Sequence, residues 1–395
     1  MQILYFADTR FPIERANGVQ TMATCHALAE RGHDVTLVVR PDTAREARSP
    51  FAFYGLPETS RLTFHAVGAP QLAVLRRARY LLAAAALVAK HPARVVFTRD
   101  LGVASFLLQA PAARRPRVVY ESHGVADVVA RELPRLLGGS TPEPPASKLT
   151  RLARREARVW RRAAAYVTIT RALSDELAGR FGARQNVFVV PDGARPVSGT
   201  PAQMARAATS GGIRVGYAGH LYPWKGVDVL IEAIALVPDA RAVVIGGHPR
   251  EADRQRLEQL ARNTGVAARV SFAGPVPQPE VAGRLADVDV LVLPNTASAI
   301  SERYTSPLKL FEYLTLGRAI VASDLPSIRE VLTDRQTALL VPPGNAPALA
   351  SAIATLAADH DLRARLGAAA AALAPEYTWA RRAERLEGAL EAALA

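Results

Sequence analysis

The apolar positions of this chain fall into short blocks that repeat one alternation. QILYFA, at 2–7, has the length and content of a buried strand. A loop with Asn17-Gly18 follows, then VQTMATCHALAERG carries helical spacing, and DVTLVV returns to a strand. Strand, helix, strand predicts a βαβ unit. Further strands are predicted at RVVFTR, RVVYES and AYVTIT, with helices between them, and VFVVPDG at 187–193 closes the first half. Residues 196–212, PVSGTPAQMARAATSGG, hold proline, serine and glycine without sustained periodicity and read as a linker. The alternation then restarts. RVGYAG, RAVVIGG, RVSFAG, DVLVLP and AIVASD read as strands, with VDVLIEAIALV, ADRQRLEQLARNTG, EVAGRLADV and LKLFEYLTLG as helices between them, and ALLVPP as one more strand. The expected architecture is α/β: two tandem Rossmann-like domains with parallel sheets facing a central cleft. The first would span 1–195, the linker 196–212, the second 213–375, and a last helix 376–395.

Length supports the division, because 395 residues exceed the roughly 250–300 at which single cores stop growing. With 49% apolar and 22% charged residues the chain has the balance of a globular protein. MQILYFADTRF and the run LLAAAALVAK at 81–90 are too short for a signal h-region or a membrane span. The single cysteine, Cys25, leaves no internal disulfide, so a cytoplasmic location is expected. Charge changes the picture more. Residues 1–200 carry 29 Lys and Arg against 16 Asp and Glu, while 201–395 carry 20 of each. Genome bias explains arginine in place of lysine but not arginine without matching acids. The asymmetry predicts a polyanionic partner for the first half, expected to be an anionic membrane at its inner face and not nucleic acid. RLARREARVWRRAAAY at 151–166, with Leu152, Val159 and Trp160 among its arginines, would be the interfacial helix, the alternative being a solvated one.

Ligands of open parallel α/β domains bind at the carboxyl ends of strands. Neither half has GxGxxG in its first turn, nor a P-loop, which argues against a dinucleotide oxidoreductase. AGHLYPWKG at 218–226 places Gly219, His220 and Lys225 in one loop before a helix starting near Val227. Glycine permits close backbone approach, a helix N-terminus favours an anion and lysine adds a point charge, a set suited to phosphate; the alternative is a solvated lysine. In YTSPLKLFEYL at 304–314, Ser306-Pro307 opens a helix with proline at a first-turn position. Lys309 and Glu312 share a face, on which the carboxylate could accept a ribose hydroxyl pair, or the two could form a surface ion pair. YESHG at 120–124 brings Glu121 and His123 to a strand end, where His123 would orient a substrate or be structural. ANGVQ at 16–20 is a second glycine loop expected to face the other domain. Asp287 and Asp289 precede a strand without a ligand cluster, so no metal site is expected there.

These motifs match a family. Residues 213–345 strongly resemble the retaining glycosyltransferase family 4, of the GT-B fold, in GHLYPWKGVDVLIEA, VSFAGPV and YTSPLKLFEYLTLGRAIVASDLPSIREVL. The first half is similar, more faintly, through NGVQTMATCHALAERGHDVTLV, YESHG and VVPDG. The resemblance implies a hexosyltransferase taking a UDP- or GDP-linked sugar as substrate, with an acceptor hydroxyl of undetermined identity, and with neither cofactor nor metal. It implies that Lys225 binds the diphosphate together with the Gly219-His220 loop, and that the start of the helix at Ser306, Pro307, Leu308 and Lys309 holds the distal phosphate. Glu312 would bind the ribose, Gly274 and Val276 the base, Gly18 and Val19 would cover the phosphates, and His123 would touch the transferred sugar. YTWARRAERL resembles the family's helix that packs back toward the first domain. Two positions depart from the pattern. His220 stands where the family often has arginine, and Tyr304 stands eight before Glu312, where the first of the paired glutamates is usual. Glu302, two residues out of register, is the nearest carboxylate and the candidate catalytic one, beside His123 and Lys225. A nucleotide-sugar epimerase of the same fold, or a catalytically silent binding subunit that has lost this acid, are the alternative readings.

Overall fold

The computed structural model describes residues 1–44, 46, 48–68, 70–91, 94–137, 142–196, 212–247 and 253–395. Apart from its two ends, the expected linker at 196–212 lies outside the described residues. Two compact units emerge. One comprises Met1–Ala130, Pro144–Asp192 and Trp379–Ala395, the other Arg131–Glu143 and Gly193–Thr378.

The first unit holds β1 (Gln2–Arg10), β2 (Asp34–Arg40), β3 (Leu62–Ala66), β4 (Val95–Thr98), β5 (Val118–Ser122), β6 (Ala165–Thr168) and β7 (Val187–Val189). They pair in parallel in the order β3-β2-β1-β4-β5-β6-β7. Helices on both faces require nearly continuous apolar strands. VVYES of β5 is accordingly buried at all its positions. The edge strand β3, LTFHA, was not legible in the pattern, because only its first residue is buried. The helix Trp379–Ala392 packs on the helix Ala16–Glu30, where the Arg31 guanidinium donates two bonds to Glu387 at 2.8 and 2.6 Å.

The second unit holds β8 (Arg214–Gly219), β9 (Arg241–Gly246), β10 (Val270–Gly274), β11 (Val290–Leu293), β12 (Ala319–Ser323) and β13 (Leu339–Val341). They too are parallel, in the order β10-β9-β8-β11-β12-β13. Val290 and Val292 enter one apolar core while Leu291 and Leu293 enter another. That is the period-two alternation of a strand covered on both faces, each such side chain contributing about 1.5–3 kcal/mol of burial. Strand order reverses between β1 and β4 in one unit and between β8 and β11 in the other. Backbone loops leave the sheet in opposite directions at such points, which opens a crevice at the carboxyl ends of the strands.

Two local expectations are corrected, and one short helix is added. Asn17 and Gly18 lie inside the helix that begins at Ala16, not in a loop before it. Residues around Glu302 form the helix Ala299–Arg303, started by Ser298, whose Oγ accepts the Ser301 N–H at 3.0 Å. Pro307 caps the helix Leu308–Leu316 from outside its first turn. Among the described residues no helix is long and apolar enough to cross a membrane.

Candidate active site

In the second unit β8 ends at Gly219, on the switch point. Gly219 has φ 145°, and a Cβ there would meet the Lys309 Nζ at 2.8 Å, so only glycine fits. Its carbonyl accepts the Gly247 N–H at 3.1 Å. His220, Tyr222 and Trp224 then stack in a file, with centroids 5.0 and 4.6 Å apart and rings 11° from parallel. Lys225 ends the single turn Pro223–Lys225. Gly226, at φ 71°, carries the chain into the helix Val227–Leu236, in a place where a Cβ would strike the Pro294 carbonyl. Desolvation lowers the half-buried Lys225 amine to about 8.

The helix Leu308–Leu316 starts beside this loop. Its Lys309 is buried, and the Nζ donates to the Tyr217 hydroxyl at 2.9 Å while lying 4.1 Å from the centre of the Tyr217 ring. The Tyr217 hydroxyl in turn donates to the His220 carbonyl at 2.6 Å. Desolvation, then the positive charge of Lys225, push the Lys309 amine well below the lysine range, with Glu312 pulling it the other way. Tyr313 ties the same helix to β8, since its hydroxyl accepts the Ala218 N–H at 2.8 Å. Glu312 is half-buried and shares an electrostatic neighbourhood with Arg195, whose guanidinium is lowered by desolvation and raised by that carboxylate. Two cationic amines, a helix start and one carboxylate therefore meet at the end of β8. Such a set holds an anion with a hydroxyl-bearing group beside it.

The first unit carries a different cluster. Glu121 at the end of β5 is fully buried. Its Oε1 accepts the Gln20 amide at 2.7 Å and the His123 Nε2–H at 2.5 Å, and its Oε2 accepts the Arg382 guanidinium at 2.6 Å. Arg382 also donates to Thr24 Oγ1 at 3.1 Å and to the carbonyls of Val190 and Pro191 at 2.9 and 2.8 Å. Arg99 closes the set by donating to Gln20 Oε1 at 2.7 Å. Burial pushes the Glu121 carboxyl up, but Arg382 and His123 outweigh it and hold it at about 2. Desolvation and then Arg99 lower His123, so the imidazole is neutral with its Nε2 proton fixed on Glu121. Asp192, also buried, is raised by desolvation against the pull of Arg382.

Gly219, His220, Lys225, Ser306, Pro307, Leu308, Lys309 and Glu312 lie in or next to the β8 end. Lys309 is no surface ion-pair member; it turns inward to Tyr217. Gly274, at φ 72°, ends β10, and Val276 is packed against a core. Glu302 is half-buried on its short helix and Tyr304 is buried. In the first unit the amides of Gly18 and Val19 both donate to the Arg15 carbonyl. Packing explains that glycine, since a Cβ would meet the Tyr54 hydroxyl at 2.5 Å. The expected interfacial helix fails on geometry. In the helix Ala146–Arg162, Val159 and Trp160 are sealed in the core, and the Trp160 indole N–H donates to the Gly182 carbonyl at 2.8 Å. Tyr217 and Arg382 were not among the residues singled out: Tyr217 lies within a strand, and Arg382 is one of several arginines in YTWARRAERL. Asp289 directly precedes β11, its carboxylate accepting the Arg214 N–H at 2.8 Å. Among the described residues there is no group of three side chains able to hold a metal ion.

Two parallel-sheet units with an anion-type loop at the second switch point define the GT-B class of glycosyltransferase fold. Residues 17–193 match the family described as glycosyl transferase 4-like domain, and residues 212–359 the family described as glycosyl transferases group 1. The chain belongs to the family 4 type of glycosyltransferases that these two domains make up. It is similar to the D-inositol 3-phosphate glycosyltransferase of Stackebrandtia nassauensis, 30% identical over 287 residues, covering 69% of this chain and 62% of the relative. The chain spans about three fifths of the length of the first curated relatives it matches. In fold it is similar to the sucrose-phosphate synthase of Thermosynechococcus elongatus, with TM-score 0.76, 18% identity and coverage of 98% and 97% of the two chains. It is likewise similar to Anabaena Alr3699/HepE in complex with UDP-glucose, with TM-score 0.71, 18% identity and coverage of 99% of each.

Proposed function

We propose that this chain is a retaining hexosyltransferase that moves a sugar from a nucleoside diphosphate to an acceptor hydroxyl. The observation that carries the reading is the pair of desolvated amines, Lys225 and Lys309, at the end of β8 beside the start of the helix Leu308–Leu316. A diphosphate leaving group gains negative charge as the glycosidic bond breaks. Lys225 and the helix amides after Ser306 meet that charge in place, without reorganisation, which is where such donors act most strongly on rate. Glu312 takes the ribose hydroxyls, and Gly274 and Val276 flank the base. Lys309 acts one step back, holding the loop through Tyr217 and the His220 carbonyl.

For the first unit we propose acceptor binding, with the Nδ1 of a neutral His123 as its acceptor for a sugar hydroxyl. The UDP-glucose bound by Anabaena HepE supports a UDP-linked donor. The charge on the diphosphate is matched by protein groups, so chelation should leave turnover unchanged; full loss restored by Mg²⁺ or Mn²⁺ overturns that part.

Thermal melts with a panel of UDP- and GDP-linked sugars test the whole reading. A donor at a hundred times its Kd stabilises the folded state by about 2.7 kcal/mol. If no nucleotide sugar raises the Tm, the reading is wrong. A donor that raises it but releases no nucleoside diphosphate with any acceptor points instead to a silent binding subunit.

A further inference from the structure

One surface of the first unit breaks the usual rule for a helix on a sheet. The helix Ala73–Lys90 buries Tyr80 and Ala84, yet turns several of its large apolar side chains outward. Leu72, just before it, is 68% exposed, Val74 82%, Leu75 54% and Leu82 66%. Leu75, Leu82 and Ala86 recur at helical spacing on one exposed face, with Arg79 between them. Such a stripe left open to water marks an interaction surface.

Charge says what covers it. From Arg61 to Arg99 the chain has seven basic residues and no Asp or Glu. Arg77 is held by Asp8 and Asp100, while Arg76 and Arg79 stand among the leucines. The helix Leu101–Leu107 touches both this helix and the helix Ala146–Arg162. The second of these carries Arg151, Arg154, Arg155 and Arg158. The Arg155 guanidinium is lowered by desolvation and by the charges of Arg151, Arg77 and Arg158, so the arginines of both helices act in one field. A second copy of the chain would bring two such fields together, which like charge opposes.

We infer that the helix Ala73–Lys90 docks flat on an anionic phospholipid bilayer, its leucines entering the headgroup boundary while the flanking arginines meet lipid phosphates. Long arginine stems suit this, because they lie along the apolar surface with the guanidinium in the polar layer. The buried Trp160 and Val159 take no part.

Sedimentation of the full chain with vesicles of phosphatidylcholine alone, or of phosphatidylcholine with one third phosphatidylglycerol, tests the inference. Binding should require phosphatidylglycerol and weaken with salt. Leu75→Gln and Leu82→Gln should each weaken it about tenfold, and Arg76→Gln and Arg79→Gln about fivefold each. All four side chains are at least partly exposed, so circular dichroism melts should match the parent. A second readout is a polarity-sensitive dye on Leu82→Cys, whose emission should shift blue on the anionic vesicles; the parent chain, with only the buried Cys25, is the control. Equal binding to both vesicles, unchanged binding of the leucine variants, or a dimer in solution that the leucine variants dissolve would each overturn it.

Discussion

The two units each bury a cluster of charge at the carboxyl ends of their strands, and the clusters differ in kind. In the first, the Glu121 carboxylate is met by Arg382, His123 and Gln20, and burial is offset from within the protein. In the second, desolvation lowers both the Lys225 and the Lys309 amines, the charge of Lys225 lowers Lys309 further, and Glu312 opposes that shift at Lys309. A compensated cluster holds a fold together. A cluster with an excess of one sign costs stability, and an anion that binds there recovers that cost. The contrast gives the Glu121–Arg382 pair an architectural part and leaves the two amines to ligand chemistry.

The largest expected effect tests the first half of this contrast. Arg382→Met leaves Glu121 buried without its guanidinium and should cost about 3–5 kcal/mol in unfolding free energy. Adding Glu121→Gln should return part of that loss, and a double-mutant cycle without coupling would show that the pair is not compensated as described. Next comes Lys225→Ala, which should lower kcat about 10²–10³-fold without lowering the melting temperature. An unchanged rate would remove Lys225 from the site. Glu312→Ala should act mainly on KM for the donor, about tenfold, because ribose contacts exist before and during the reaction; a fall confined to kcat would contradict that.

The smallest effect is one of pH: stability rises with pH in both units, in the acid range through Glu121 and in the alkaline range through Lys225. Glu121 titrates near 2 when folded against an ordinary 4.5, so the unfolded chain takes up the proton first. Its contribution is complete above about pH 5 and is lost as pH falls through 4.5 toward 2. Lys225 titrates near 8 when folded against 10.5, so between those values the unfolded chain holds more protons and stability rises with pH. Lys225→Met should therefore melt above the parent at pH 7, with the gap closing by pH 10.5. A gap independent of pH would mean that the amine is not desolvated.

Which parts were legible in the sequence follows from how far apart the partners lie. Parallel strands buried on both faces announce themselves as apolar runs, and all the central strands were visible. The edge strand β3 was not, since an edge buries only part of its residues. Within the site, Gly219 and Lys225 were readable because loop and lysine share one short stretch. The inward turn of Lys309 was not, since Tyr217 is 92 positions away. Glu121 and Arg382 are 261 positions apart, and Arg382 lies in an arginine-rich helix where nothing local marks it from its neighbours. The interfacial reading of 151–166 failed for a related reason. A tryptophan among arginines looks amphipathic in either setting, and only the fold decides whether its ring faces lipid or core.

The route of the chain has a consequence for synthesis. The first unit is left at Asp192 and completed only from Trp379 onward, with the second unit inserted between. During translation β5 is made long before Arg382, so the nascent first unit holds Glu121 with Gln20 and His123 but without its guanidinium, while the second unit runs unbroken from Gly193 to Thr378 apart from one short segment made earlier. Domains usually fold as they emerge, from the N-terminus onward. Here the order should be reversed at the final step. The earlier half would remain open to proteases until residue 382 clears the ribosome, and a nascent chain stalled just before that point should be cut in the first unit and spared in the second.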